Sequence, residues 1–337
     1  MAKIVLAMAT THGPQLHTTV EQWQLRVSAD KARKHPFRNG TYSFDELVAM
    51  RRAEGLDAKS SMDAQHKYHA RCHVAMEKLA DKWEEIGADV AVILGNDQDE
   101  VYETEELNPP FMVFFGDKIP NYPQSDEEKA NLPPGVAEAE HGHATDVYTE
   151  YQGLPDLGQH IIKTMMENEF DVAASKVWPK HARNGASHAF GHIYRQVMRD
   201  KVVPNVPVYQ NTFFPPNQPT AKRSYRFGQV VRKAIDSWES DKRVAVFASG
   251  GMSHFVIDEQ FDRSFVKGLK NKDKDFLTSI PLKTLQSGTS ELKSWISLAG
   301  LLENEKAEMN EIDYVPCYRS PAGTGTANGF YWWDVIG

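Results

Sequence analysis

The sequence predicts an α/β fold in which helices flank a central mixed β-sheet and a ligand site lies at the strand ends. Two observations support this class: short apolar runs of strand length recur along the 337 residues, and helical patterns lie between them. Strands that alternate with helices are typical of layered α/β domains. The apolar fraction of 41% is sufficient for a sizeable core, and we expect one domain over residues 1–337.

The predicted elements follow in chain order. The apolar runs interpreted as strands are residues 3–9, 89–94, 111–115, 170–174, 206–210, 243–248 and 328–333. The predicted helices are residues 62–87, 156–168, 187–200, 223–238 and 289–302. Two stretches are expected to leave the core. Residues 26–61 are basic and polar, and residues 117–146, rich in Pro, Gly and acids, are the best candidate for a surface loop or lid.

Composition narrows the functional classes. The net charge of −8, with acids and bases interspersed, argues against a nucleic-acid surface. No apolar run approaches the ~20 residues that a membrane span needs, and the first apolar run is too short for a signal peptide. Cys72 and Cys317 lie far apart in the sequence and in no metal-binding spacing, which fits a reducing compartment. We therefore expect a cytoplasmic protein that binds neither nucleic acid nor membrane.

Histidines follow two of the predicted strands. His12 follows the run at 3–9, and His254 follows the run at 243–248 after the sequence Gly-Gly-Met-Ser. Paired glycines allow positive φ and a close backbone approach, and open α/β folds bind ligands at this edge of the sheet. A histidine placed there is suited to proton transfer. Alternatively, His12 only terminates its strand, and His254 only caps a following helix.

Further polar signals stand where a strand ends or a helix begins. Glu291 lies at a predicted helix start, where a carboxylate also acts simply as a cap. Gln98 lies in a polar turn after the run at 89–94, and strand-to-turn punctuation explains it equally well. His188 and His192 share one helix face at a spacing that can bind metal, although a role at the helix start is an equal alternative.

Two histidines and one carboxylate suit a divalent iron that keeps positions open for substrate and O2. Together these signals resemble the class III extradiol ring-cleavage dioxygenases, specifically the catalytic subunit of protocatechuate 4,5-dioxygenase and its gallate and 3-O-methylgallate relatives. The resemblance spans most of the chain. It is carried by His12, Asn96-Asp97-Gln98, Ser187-His188, the Gly-Gly-Met-Ser-His sequence at 250–254, Glu291 before Leu292 and Trp295, and the closing stretch 320–329.

The resemblance implies a role for each matching residue. His12 and Glu291 would be iron ligands, and His254 would be the active-site acid/base. His188 would be a catalytic residue that lines the substrate pocket, and Thr324 would contact a ring substituent. The implied cofactor is Fe(II) with O2 as co-substrate, and the implied substrate is a substituted catechol, gallate-like phenol or dihydroxypyridine. We also expect a homodimer.

One departure from the family concerns the third ligand. The family's second histidine ligand follows Asn-Asp, and here that position is Gln98. An amide oxygen is neutral like an imidazole but a weaker donor to iron. Gln98 is therefore a candidate ligand or a bystander, and the neighbouring Asp97 and Glu100 offer alternative oxygens. The stretches 26–61 and 117–146 are expected to be insertions that do the lid work of a second subunit.

Two other functions stay open from the sequence. A metal-dependent hydrolase would use the same histidine and glutamate site to activate water, and iron content together with O2 uptake would distinguish it. A non-catalytic binding protein is suggested by the missing histidine at position 98. Tight substrate binding without O2 consumption would favour that alternative.

Overall fold

The computed structural model describes residues 1–102, 107–179, 182 and 185–335. The strands are β1 Lys3–Thr10, β2 His35–Phe37, β3 Gly40–Tyr42, β4 Val90–Gly95, β5 Phe111–Phe114, β6 Lys118–Asn121, β7 Thr149–Gln152, β8 Ala173–Ser175, β9 Asn205–Gln210, β10 Arg243–Ser249, β11 His254–Val256, β12 Met309–Tyr318 and β13 Thr324–Asp334.

The α-helices complete the framework. They are α1 Val20–Lys31, α2 Phe44–Met50, α3 Leu56–Lys59, α4 Met62–Ile86, α5 Asp126–Ala130, α6 Pro155–Glu167, α7 His188–His192, α8 Ala221–Ser237, α9 Glu259–Lys270, α10 Lys274–Ser279 and α11 Leu292–Leu301. A 3-10 turn at Ser287–Glu291 leads into α11, and a π-helical turn at Ile193–Val197 follows α7.

The central sheet is mixed, with the order β11-β13-β1-β10-β4-β9-β5-β8, and β12 pairs with β13. Strands β1, β10, β4 and β9 are neighbours and run parallel. Strand β13 is antiparallel to β1, and β5 is antiparallel to β9. The predicted fold class is therefore confirmed. Because the four neighbouring parallel strands end at one edge, the segments that follow them meet there.

Burial explains why the parallel strands were visible in the sequence. All six residues of β4 and all six of β9 are buried, because helices cover both faces of the sheet. Such strands give near-continuous apolar runs. Helix α4 was also predicted correctly, and it ends at Gly87, whose φ of +57° is the left-handed conformation of a helix C-cap.

Several elements differ from the sequence prediction. Strand β12 was missed because only part of it is buried and its sequence mixes charged residues with a proline. Helix α1 was missed because only Val20, Trp23 and Asp30 are buried along its 12 residues. The strand expected at 170–174 is displaced to β8. The helix expected at 187–200 is shorter, since the π-helical turn follows the five residues of α7.

The structure also bears on what the sequence predicted for the two stretches outside the core, for the cysteines and for membrane spans. The stretch 26–61 contains the hairpin β2–β3, and the stretch 117–146 contains β6 and α5. Cys72 and Cys317, distant in sequence, come together in the core with their sulfur atoms 3.6 Å apart, and both thiols are free. Within the described residues, no helix combines the length and apolar character needed to cross a membrane.

Candidate active site

The site lies at the edge where β1, β10 and β4 end. His12 follows β1, the turn Gly-Gly-Met-Ser follows β10, and Gln98 follows β4. The turn after β10 is fixed by two hydrogen bonds. The Gly250 amide donates to Thr10 O at 3.0 Å, and Trp295 Nε1 donates to Gly250 O at 2.9 Å. The second bond also ties helix α11 to this edge of the sheet.

His12 is buried and oriented for a further partner. Its Nδ1 forms a 2.8 Å hydrogen bond with the Ser249 hydroxyl, which belongs to the neighbouring strand β10. Its Nε2 lies 3.1 Å from Glu291 Oε2. Among the described residues, that buried nitrogen has no partner with hydrogen-bond geometry. Burial lowers the pKa of His12, although the nearby charge of Glu291 opposes the shift.

Glu291 is buried at the start of α11 and is held by several donors. The Gly251 amide donates to Oε2 at 2.6 Å, and Gln98 Nε2 donates to Oε1 at 2.8 Å. Asn96 Nδ2 adds a longer bond of 3.4 Å to the same Oε1. Burial alone would raise the pKa of Glu291, but the neighbouring histidines and hydrogen bonds outweigh it and leave the pKa well below its usual range. The carboxylate is therefore ionised.

His254 also lies beside this carboxylate, but at a longer distance than His12. Its Nε2 is 3.7 Å from Glu291 Oε2, and its Nδ1 donates to Met252 O at 2.8 Å. Because a carbonyl only accepts, Nδ1 keeps its proton, and Nε2 is the atom that can gain or lose one. A Cβ atom at Gly251 would stand 2.5 Å from the imidazole. Close approach, and not positive φ, therefore explains why glycine stands at that position.

His188 is the second imidazole beside His12. The two ring centroids are 4.4 Å apart, with the rings nearly perpendicular at 81°. One carboxylate holds His188 twice, since Glu100 Oε2 contacts Nδ1 at 2.5 Å and Glu100 Oε1 accepts the His188 backbone N–H at 3.0 Å. Burial would lower the pKa of His188, but Glu100 outweighs it and raises the pKa to about 9.

The ligand atoms of His12, His188 and Glu291 all lie within 4.8 Å of one another. These residues are the group in the described part of the chain that could hold a metal ion through three histidine, cysteine or carboxylate side chains. The sequence interpretation gave the third ligand position to Gln98. The structure places the Gln98 amide nitrogen against Glu291 instead, and it brings His188 to the cluster.

Thr324 lies apart from this cluster. It is fully buried in β13, and its hydroxyl forms a 2.7 Å hydrogen bond with Ser320. Thr326, two residues along the same strand, lines the cavity over His12 and Glu291. The role expected for Thr324, contact with a ring substituent, stays a prediction.

Two adjoining cavities open onto the cluster. The inner one, about 70 Å³, contacts His12, His188, His254 and Glu291, and the outer one measures about 300 Å³. They share three lining residues, which are Arg26, Gln98 and His188. The stretch 117–146 covers the outer cavity through Gln124, Leu132, Pro133, Val136, Glu140 and His143.

Sequence reasoning did not single out Arg26 or Ser249, and it named Glu100 only as an alternative source of a ligand oxygen. Arg26 lines both cavities, and its Nη1 makes a 3.4 Å hydrogen bond to Pro134 O. Its helix, α1, gave no clear periodicity. Ser249 was indistinguishable from any small residue at a strand end. Only the acid cluster after β4 was a usable signal, and it did not reveal the pairing of Glu100 with His188.

A comparison of the sequence with known protein families agrees with the arrangement of these residues. The family described as the catalytic LigB subunit of aromatic ring-opening dioxygenase matches residues 59–326. The chain belongs to this family. The match contains the positions of His188, His254 and Glu291, whereas His12 and Arg26 precede it. The recognition made from the sequence motifs is therefore confirmed.

Individual relatives are more distant. Gallate dioxygenase of Pseudomonas putida is 28% identical over 178 residues, which is 49% of this chain and 50% of that protein. The chain thus aligns with about half the length of that relative. A solved structure of an uncharacterized protein from Escherichia coli K12 aligns with a TM-score of 0.43 and 11% identity, over 76% of this chain and 91% of that one.

Proposed function

We propose that the protein is a non-haem Fe(II)-dependent extradiol dioxygenase that opens the ring of a substituted catechol with O2. The observation that carries this proposal is the group of buried His12 and Glu291 with partly buried His188, whose ligand atoms lie within 4.8 Å of one another beside His254. Family membership supports the same reaction class.

The residues present fit a divalent iron. His12 Nε2 is buried without a hydrogen-bond partner among the described residues, and Glu291 is an ionised carboxylate 3.1 Å from it. Imidazole and carboxylate ligands that leave positions open are the set used by non-haem Fe(II) oxygenases. When bound, the ion would hold the catechol oxygens and O2 together and stabilise developing negative charge.

His254 is suited to move protons between the substrate and O2. Its Nδ1–H is fixed by Met252 O, which orients the ring and reserves Nε2 for proton exchange. The imidazole also lines the inner cavity, where a substrate hydroxyl would lie. Ring opening needs a base for one hydroxyl and an acid on the oxygen side, and a histidine can serve both steps.

Arg26 supports a substrate with an anionic ring substituent. Burial lowers the pKa of its guanidinium to about 10, with a further contribution from the charge of Arg319, so its positive charge is poorly compensated. Asp30, the acid that acts on it, already forms a bidentate pair with Arg319 at 2.7 and 2.8 Å. A carboxylate on the ring would compensate Arg26 in the cavity over the metal ligands.

The test combines metal content with O2 consumption. Protein loaded anaerobically with Fe(II) should consume O2 with a carboxylated catechol and release a ring-opened acid. His12→Ala and Glu291→Ala should each lower iron content by ~10-fold or more. His254→Phe should keep the iron and lose ~10²–10⁴-fold in turnover. Arg26→Met should raise KM for the carboxylated catechol only, by ~10-fold or more, and Arg33→Met is the matched control.

Three outcomes would contradict the proposal. Full iron content and full activity in both His12→Ala and Glu291→Ala would show that these two residues do not bind the metal. Tight catechol binding without O2 uptake would indicate a binding protein. Hydrolysis of an ester or amide without O2 uptake would indicate a hydrolase on the same site. The expected homodimer and cytoplasmic location stay predictions.

A further inference from the structure

We propose that His188 is the second imidazole ligand of the metal, and that Gln98 holds Glu291 in place without binding the ion. This inference rests on the proposed function, because it concerns the same site. It resolves the departure at position 98, where the sequence pattern leads one to expect a histidine. The imidazole comes from the start of α7, on a different part of the chain.

The hydrogen bonds of His188 hold its ring in the way that is typical of a histidine that binds metal. Glu100 accepts a hydrogen bond from Nδ1, so that nitrogen keeps its proton, and a metal ion would bind at Nε2 in place of the proton there. A histidine that binds metal commonly donates its other ring N–H to a carboxylate, which sets the tautomer and the ring orientation. The second bond, from the His188 backbone to Glu100, locks the same pair at the first turn of α7.

The backbone around His188 is held against the segment after β4 that carries Gln98. Ser187 Oγ donates to Asn96 O at 3.0 Å, which joins the start of α7 to the segment after β4. The helix start and that segment therefore form one unit. In this unit the imidazole of His188 faces His12, at a ring distance of 4.4 Å.

Gln98 has a different task in this arrangement. Its amide nitrogen donates to Glu291 Oε1 at 2.8 Å, and an amide N–H is not a metal donor. Together with the Gly251 amide on Oε2, it orients both oxygens of the carboxylate. Gln98 is thus a positioning residue. With a metal ion bound, both imidazoles would be neutral, so this set with one carboxylate would keep the charge that a histidine at position 98 would give.

Anaerobic titration with Co(II), followed by its visible absorption, tests this assignment without relying on turnover. His188→Ala should weaken Co(II) binding by ~10–100-fold or more and change the absorption bands, because one nitrogen ligand is lost. Glu100→Gln should weaken binding by ~10–100-fold, since the carboxylate partner is removed while the side-chain shape is kept. Gln98→Ala should weaken binding less than His188→Ala and preserve the bands.

Two further variants sharpen the comparison. His160→Ala is the control, since it removes a histidine of α6 that hydrogen-bonds with the Ser237 hydroxyl and lines neither cavity. It should leave Co(II) affinity near that of the wild type. The double variant Gln98→His/His188→Ala should recover affinity relative to His188→Ala, because it returns an imidazole to the site.

The outcomes separate this inference from the proposed function. Wild-type affinity in His188→Ala, combined with a loss in Gln98→Ala as large as in His12→Ala, would overturn the inference and leave the metal site intact. It would make the contact between His188 and Glu100 a partly buried ion pair. Absence of Co(II) binding by the wild type would overturn the proposed function itself. If His188→Ala does not fold, as judged by circular dichroism, Glu100→Gln decides, and unchanged affinity there would overturn the inference.

Discussion

At the scale of single residues, the site depends on glycines that leave room for a catalytic side chain. The imidazole of His254 lies between two glycines, Gly251 in the turn after β10 and Gly288 in the 3-10 turn before α11. A Cβ at Gly251 would stand 2.5 Å from the ring, and one at Gly288 would stand closer still. Because real Cβ atoms do not approach this closely, either substitution must displace the proton-transfer residue.

Gly288→Ala should therefore lower turnover while leaving the metal in place. We expect a fall of ~10-fold or more, up to the ~10²–10⁴-fold loss of a missing acid/base, with iron content near that of the wild type. The measurement is kcat beside iron content per chain. Ser290→Ala is the matched control, since its buried hydroxyl has no hydrogen-bond partner among the described residues. Equal turnover in Gly288→Ala and wild type would contradict the role of His254.

At the scale of elements, the crossing of α8 and α11 determines where Glu291 stands. Gly228 of α8 packs against the Ser297 carbonyl, and Gly300 of α11 packs against the Tyr225 carbonyl, and neither position has room for a Cβ. Small residues at a crossing let two helices approach closely. Glu291 immediately precedes α11, so this contact fixes the origin of the carboxylate.

Gly228→Ala should separate the two helices and destabilise the fold. Overpacking of this kind costs ~1–3 kcal/mol, so we expect a lower Tm and weaker metal binding in the same variant. Lys222→Ala, on the exposed side of the same helix, is the control and should change stability by less than ~0.5 kcal/mol. An unchanged Tm in Gly228→Ala would show that α11 can shift without a loss of stability.

At the scale of the whole molecule, one buried acid joins three separate parts of the chain. Asp262 of α9 accepts the Ser253 amide at 2.9 Å, the Ser253 hydroxyl at 2.6 Å and the Tyr314 hydroxyl of β12 at 2.7 Å. Burial raises its pKa to about 7, and the charge of Asp258 adds to the shift, while the hydrogen bonds oppose it. The turn before His254 is thus tied to strand β12 through this carboxyl.

The stability of the protein should depend on the ionisation of Asp262. An unfolded aspartate has a pKa of ~3.9, so between pH ~4 and ~7 the folded state holds a proton that the unfolded state lacks. The stabilisation is complete below pH ~4 and is lost as pH rises through about 7. Glu100, whose pKa is lowered to about 2 because His188 outweighs burial, gives the opposite slope at lower pH.

Comparison with Asp262→Asn isolates this contribution. The free energy of unfolding of the wild type should fall relative to that of the variant between pH 4 and pH 8, by up to ~4 kcal/mol, and denaturant titrations at each pH measure it. The exposed Asp241→Asn should follow the wild-type profile. Parallel profiles for wild type and Asp262→Asn would show that Asp262 has no raised pKa.

Much of the fold was predictable because elements that are buried consist largely of apolar residues. Strands β1, β4, β9 and β10 are buried on both faces, so they give apolar runs that stand out from their surroundings. The partly buried β12 and the weakly amphipathic α1 lack such a signal. Strand β12 is held by backbone pairing with β13, and α1 by contacts such as that between Asp30 and Arg319, so neither needs an apolar pattern of its own.

The sequence by itself determined the family, the fold class and the positions of His12, His254 and Glu291, because each stands where a strand ends or a helix begins. Only the tertiary structure showed which side chains contact one another. It placed His188, already named as a pocket residue, among the possible metal ligands, brought Arg26 to the cavity lining and turned Gln98 toward Glu291. The physical reason is that contacts such as Glu100 with His188 join residues 88 positions apart, and the spacing along the chain does not encode them.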